Sequence, residues 1–129
     1  MIRYRSVFTA YTPSLWGGFF FVNKGQRMGT RLSAVLHQPI PGILWHWCPG
    51  CRERHPIHVR HPDSNTKVTA LWCWDGNVDK PTFNPSIRVY NRDGSTQCHY
   101  FIRQGNIQFC GDSDHHLAGK TVTVPDLPE

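Results

Sequence analysis

The stretch "WHWCPGCRERH", residues 45–55, sets Cys48 and Cys51 two residues apart around Pro49-Gly50. This is the spacing of a zinc knuckle, in which a tight turn aims two thiolates at one ion and offers backbone N–H groups to the sulfurs. Two cysteines supply half of a tetrahedral site, so the remaining ligands must come from later in the chain. The candidates are Cys98 or His99 in "TQCHYFI", Cys110, and His115 or His116 in "SDHHLAG". Neighbouring residues of a strand face opposite ways, so only one of Cys98 and His99 reaches the ion. His99 is the expected ligand because its imidazole extends further from a strand, with Cys98 as its rival. Two thiolates and two imidazoles around zinc carry no net charge, which eases burial.

A thiol redox pair is the competing chemistry at Cys48 and Cys51, since Arg52 and Arg54 could lower a thiol pKa, but no helix is expected after the motif. Cys73, between Trp72 and Trp74, reads as a buried, inert thiol. His55, His58 and His61 recur every three residues, yet Pro56 and Pro62 oppose a helix there, so they are expected as exposed strand or loop imidazoles. His37 and His46 show no partner. A second dense stretch, "CWDGNVDKPTFNPSIRVY", begins with a turn at Asp75-Gly76, and Pro81 and Pro85 force extended backbone before them. It makes a rigid loop bearing Asp75, Asn77, Lys80, Thr82 and Asn84. That loop either bonds its own backbone or forms a partner surface beside the metal.

The elements that must position these residues read as β. "GILWHWC", "PIHVR", "TALWCW", "SIRVY", "TQCHYFI", "NIQFC" and "TVTV" are short, aromatic or β-branched, and bounded by turn residues. "NRDGS" and "RQGN" are hairpin connections, so residues 86–110 are expected to form a three-stranded meander. The expected fold is mainly β: a small single-domain antiparallel meander or sandwich with a zinc knuckle. One short helical turn is expected at "SDHHLAG", capped by Ser113 and ended by Gly119. Residues 1–27 read as an aromatic, basic arm and residues 28–129 as the zinc-stabilised β domain.

At 129 residues the chain fits one domain with a thin core, and ten prolines and eleven glycines argue against long helices. The formal charge of +5 suggests a polyanionic partner. Its distribution weakens that: Arg3, Arg5, Lys24 and Arg27 lie in the arm, so ten of the fourteen bases remain against nine acids. Nucleic-acid binding is expected to be weak and non-specific. Five cysteines and eight histidines suit metal binding in a reducing cytoplasm better than a disulfide framework. The longest apolar run, "LWGGFFFV", is too short to span a bilayer and lacks a following signal-peptidase site.

"WCPGC", "WDGNVDKPTFNPSI", "CHYFIRQGNIQF" and "HHLAGKTVTVPD", in this order and spacing, resemble a family of small uncharacterised zinc-knuckle proteins of tailed phages and prophages, often named ammonia monooxygenase. The likeness covers about residues 30–127 and implies a phage or prophage origin and a compact β-rich fold. The inherited name implies a copper enzyme working in a membrane, for which this sequence has no spanning segment. The family has Cys-x-His before its Leu-x-Gly; here Ser113 stands at the cysteine position and His115 keeps the histidine. The resemblance therefore implies His115 over His116 as a ligand, with Cys110 the nearest substitute for the missing thiol. Because the likeness begins near Met28, after "NKGQR", Met28 is an alternative start of translation.

The expected ligand set is thus Cys48, Cys51, His99 and His115, holding zinc. The expected function is a non-enzymatic binding module in the host bacterial cytoplasm that docks on a protein, for instance as an inhibitor of host defence. The alternatives are a zinc hydrolase using Asp112, Asp114 or Glu53 as base, and a thiol redox protein. A zinc deaminase is excluded because H-x-E before P-C-x-x-C is absent.

Overall fold

A computed structural model of the chain describes residues 2–5, 29–64 and 70–128. The arm expected over 1–27 lies outside these apart from its first strand. Among the described residues there is no helix, and two sheets carry the fold. One sheet contains β2 (Thr30–Arg31), β3 (His37–Gln38), β4 (Ile43–Cys48) and β5 (Glu53–His58) in that order, all antiparallel. The other runs β1 (Ile2–Arg5), β7 (Phe83–Tyr90), β8 (Thr96–Arg103), β9 (Asn106–Phe109), β10 (Thr121–Thr123), with β6 (Cys73–Trp74) also on β7. The β7–β8–β9 meander is the one expected from the two turn sequences, and Gly94 and Gly105 take the positive φ their turns need.

Alternation sets the core. On β4, Leu44, His46 and Cys48 point inward while Trp45 and Trp47 are half-buried; on β8, Cys98, Tyr100 and Ile102 are buried while His99, Phe101 and Arg103 face out. Inward residues of both sheets form one cluster, with Leu36, Leu44 and Ile57 packed among Phe83, Ile87, Val89, Tyr100 and Phe109. Trp72 ties the sheets together: its N–H donates to His58 O at 2.8 Å, and its indole Nε1–H donates to Ser86 O at 3.3 Å.

Three expectations change. His55 and His58 are buried rather than exposed, because β5 is an edge strand that tolerates Pro56 and turns these rings inward. Cys73 is exposed, since Trp72 takes the inward place beside it. The "SDHHLAG" segment closes as a hydrogen-bonded turn, with Ala118 N–H donating to His115 O at 3.1 Å and Gly119 at φ 78. No helix among the described residues is long and apolar enough to cross a membrane.

Candidate functional site

Strand β9 ends at Phe109, opposite Tyr100, and beyond that point the chain from Cys110 to His115 runs on beside β8 in its place. Cys110 N–H donates to His99 O at 2.8 Å and Asp114 N–H to Gln97 O at 2.9 Å. Ser113 closes the gap between them: its hydroxyl accepts from His99 N–H at 3.0 Å and donates to His99 O at 2.9 Å. This loop sends Asp112 to the outward side of the sheet and His115 to the core side. Each joins the β8 residue that faces the same way.

On the core side, Cys48, Cys51, Cys98 and His115 bring their donor atoms within 4.8 Å of one another and could hold a metal ion. Cys48 Sγ and Cys98 Sγ lie 4.0 Å apart and Cys98 Sγ lies 3.3 Å from His115 Nε2. A tetrahedral zinc with Zn–S near 2.3 Å and Zn–N near 2.0 Å needs edges of about 3.8 and about 3.5 Å, close to these spacings. The knuckle turn behaves as its sequence requires. Cys51 N–H donates to Cys48 Sγ at 3.4 Å, Arg52 N–H donates to Cys48 O at 2.8 Å, and Arg52 takes φ 57. Gly50 is obligatory for the fourth ligand, since a Cβ there would lie 2.3 Å from His115 Cε1. His115 Nδ1 accepts from Leu117 N–H at 3.2 Å, so an ion on Nε2, which leaves the ring proton on Nδ1, requires that contact to open.

Packed together, the three thiols shift one another's proton affinity in opposite directions. Hydrogen bonds from the Cys48 and Cys98 thiols lower the Cys51 pKa far below the ordinary cysteine range, while Cys48 is pushed up to about 12 by its bond to Cys51. Cys98 is raised through Cys48 and Cys51 in the same way. Beneath this group lies a buried polar layer. Tyr100 OH contacts His46 Nε2 at 2.7 Å and His55 Nδ1 at 3.1 Å, and burial, with His55 nearby, lowers His46 to about 3. Burial alone would also lower His55, but hydrogen bonding to Cys51 and to Glu53 outweighs it and raises the ring's pKa.

His99, expected as a ligand, is on the opposite face of β8. Its Nδ1 lies 3.0 Å from Asp112 Oδ1 and its Nε2 lies 3.1 Å from Ser86 Oγ. A carboxylate can only accept, so the ring proton sits on Nδ1, and Nε2 is left to accept the Ser86 hydroxyl proton. Ser86–His99–Asp112 therefore has the order of hydroxyl, imidazole and carboxylate, in hydrogen-bonded series, that a nucleophile, base and orienting carboxylate need. The register explains how three strands' worth of chain converge. His99 pairs with Arg88, two residues from Ser86 on the same face, and the shift between Phe83 and Ile87 releases Ser86 from strict pairing with β8. Arg88 donates to Asp112 Oδ2 at 2.7 Å. Partial burial would raise the Asp112 carboxyl, but bonds from Arg88 and His99 prevail and hold it below the usual carboxylate range.

Exposure along the series is unusual: Ser86 is 6% exposed, while the Asp112 side chain is 43% exposed. Cys110 Sγ is also within 4.8 Å of the His99 and Asp112 donor atoms. The Arg88 guanidinium on Asp112, and the engagement of both His99 nitrogens, make that trio a poor cation site. A third grouping, Cys51, Glu53 and His55, shares its thiol with the four-residue cluster. The loop residues Asp75 and Asn77 are used internally. Asp75 Oδ1 accepts from Asn77 and Thr82 N–H groups, Asn77 Oδ1 accepts from Asp79 and Lys80 N–H groups, and Thr82 Oγ1 accepts from Gln104 N–H. Asn84 pairs with Cys73 across β6 and β7, so this loop leads directly into Ser86.

Sequence reasoning missed Ser86, because "NPSI" contains no nucleophile-elbow pattern, and it considered Asp112 only as a base for metal-bound water. The available signal was spacing. Ser86, His99 and Asp112 follow one another at intervals of thirteen residues.

No curated protein and no solved structure matches the chain. Among protein families, residues 19–110 match the model described as bacterial ubiquitination-like system serine protease, BubE; the match includes Ser86, His99, Cys48, Cys51 and Cys98 and stops two residues before Asp112. Spanning more than two thirds of the sequence, this match places the chain in the BubE family.

Proposed function

We propose that the protein is a serine peptidase that cleaves a peptide bond in a protein of a bacterial ubiquitination-like system, with Ser86 as nucleophile, His99 as general base and acid, and Asp112 as the carboxylate that orients His99. The observation that carries this is the hydrogen-bonded series at 3.1 and 3.0 Å. Ser86 Oγ attacks the scissile carbonyl carbon as His99 Nε2 takes its proton. His99 then hands that proton to the departing amine, leaving an acyl ester on Ser86. Water attacks the ester, His99 accepts the water's proton and returns it to Ser86 Oγ, and a carboxylate product leaves. Asp112 stabilises the imidazolium formed in each half.

The Cys48, Cys51, Cys98 and His115 group is proposed to hold zinc as a closed structural site. Four protein donors fill a tetrahedron and leave no position for a reacting water, which argues against the zinc hydrolase. A docking module accounts for the metal group alone and leaves Ser86–His99–Asp112 without a role. A bacterial cytoplasm suits the five free thiols.

The test is incubation of the purified protein with the ubiquitin-like protein of such a system, followed by mass spectrometry. Cleavage at one peptide bond is expected, with none by Ser86→Ala. Undiminished cleavage by Ser86→Ala would move the chemistry elsewhere.

A further inference from the structure

We infer that a zinc ion on Cys48, Cys51, Cys98 and His115 is the clamp that sets the His99–Asp112 pair of the peptidase. This rests on the Ser86–His99–Asp112 reading above and adds a role for the metal in it.

Both catalytic partners of Ser86 are tied to a ligand on the same short piece of chain. His99 is the immediate neighbour of Cys98 on β8, and Asp112 lies three residues before His115 on the following loop. Because successive strand residues face opposite ways, fixing Cys98 on the core side fixes the backbone from which His99 leaves on the other. The loop has no ladder of its own. It is held to β8 by the Cys110, Ser113 and Asp114 bonds, and beyond them by His115, whose ring sits on the Gly50 turn. An ion joining Cys98 to His115 therefore closes the loop against β8 from behind, with the Ser113 hydroxyl as the front clip on His99. Cys48 and Cys51 anchor that closure to β4 and the other sheet. Without the ion, Cys98 and His115 retain a single 3.3 Å contact. The outward consequence is that Asp112 is left to its 2.7 Å bond with Arg88 on β7 and is no longer held to the 3.0 Å contact with His99 that fixes the tautomer.

Cys98, Cys48, Cys51 and His115 are thus positioning residues, with no contact to Ser86 required. Misplacement of a catalytic group by about 1 Å costs about 10²-fold in rate, and that is the expected size of the effect.

The experiment uses the full chain loaded with zinc and then stripped with a chelator. It reads three signals: reaction of Ser86 with a fluorophosphonate, the low-field proton resonance of the His99 Nδ1–H bonded to Asp112, and the core methyl resonances that report the sheets. The clamp predicts that stripping slows the fluorophosphonate reaction by about 10²-fold and removes the His99 resonance while core signals persist. His115→Ala should reproduce this with zinc present, and His115→Cys, which restores a fourth donor, should return both signals. Unchanged resonance and rate after stripping overturn the clamp. So does loss of the core signals together with the metal, because the ion then serves the whole fold. If the zinc-loaded protein shows the His99 resonance and its zinc dependence but Ser86 never reacts, the clamp stands and the peptidase reading fails.

Discussion

Replacing Asp112 by asparagine keeps the shape of the side chain and removes its charge, and the structure sets the size of the consequence. In the wild type the carboxylate accepts from His99 Nδ1–H at 3.0 Å and from Arg88 at 2.7 Å. An amide has one accepting oxygen, and Arg88 competes for it. Turning the amide NH₂ toward His99 moves the ring proton to Nε2, where it can no longer take the Ser86 proton. A buried triad loses about 10⁴-fold on this change. At 3.0 Å, the attraction between imidazolium and carboxylate is about 5.5 kcal/mol at an effective dielectric of 20 and about 1.4 kcal/mol in water. With 43% of the Asp112 side chain exposed, solvent screening places the effect between these limits. The expected loss for Asp112→Asn is about 10²- to 10³-fold in the rate of Ser86 modification by a fluorophosphonate, followed by intact mass. The fold, monitored by circular dichroism, should be unchanged. A variant reacting at the wild-type rate would show that Asp112 serves Arg88 alone and would refute the orienting role.

Three further outcomes follow from the geometry. Gly50→Ala places a Cβ 2.3 Å from His115 Cε1, so the ring must leave; metal affinity should fall at least about tenfold by competition with a chromogenic chelator, and unchanged affinity would remove His115 from the ligand set. Cys51→Ser takes a thiolate from the metal group, and denaturant unfolding should show a loss of about 2 to 3 kcal/mol from a protein that stays folded in water, whereas wild-type stability would mean the group holds no metal. Burial lowers the His58 pKa below 6.5, so the unfolded chain takes up the proton first; this contribution to stability is complete above pH 6.5 and is lost as pH falls toward the folded pKa. His58→Gln should flatten the stability slope below pH 6.5, and an identical slope in both proteins would show that His58 does not titrate on unfolding.

How much was legible in the sequence differs by element. The β character, the 86–110 meander and the Cys48–Cys51 turn follow from alternation, from Asp-Gly and Gly-Asn turn pairs, and from Pro-Gly between two thiols. That Cys98 and His99 serve different faces is also a property of any strand. Which face is the core was hidden, because it depends on the β7–β8 register, and the shift between Phe83 and Ile87 resets that register locally. Ser86 was hidden for the same reason. His55 and His58 looked exposed because prolines beside them exclude a helix, but an edge strand accepts Pro56 and can still bury its inward rings. Asp112 needed the loop that replaces β9 beside β8, a path set by Ser113 bonding both polar groups of the His99 backbone.

The central claim is that Ser86 is an activated nucleophile, and fluorophosphonate modification followed by peptide mapping tests it most directly. Ser86 Oγ displaces fluoride from phosphorus only when a base accepts its proton, so the zinc-loaded protein should carry one adduct, on Ser86, at neutral pH. Ser86→Ala and His99→Ala should carry none. An unmodified wild type, an adduct at any other residue, or full modification of His99→Ala would contradict the account.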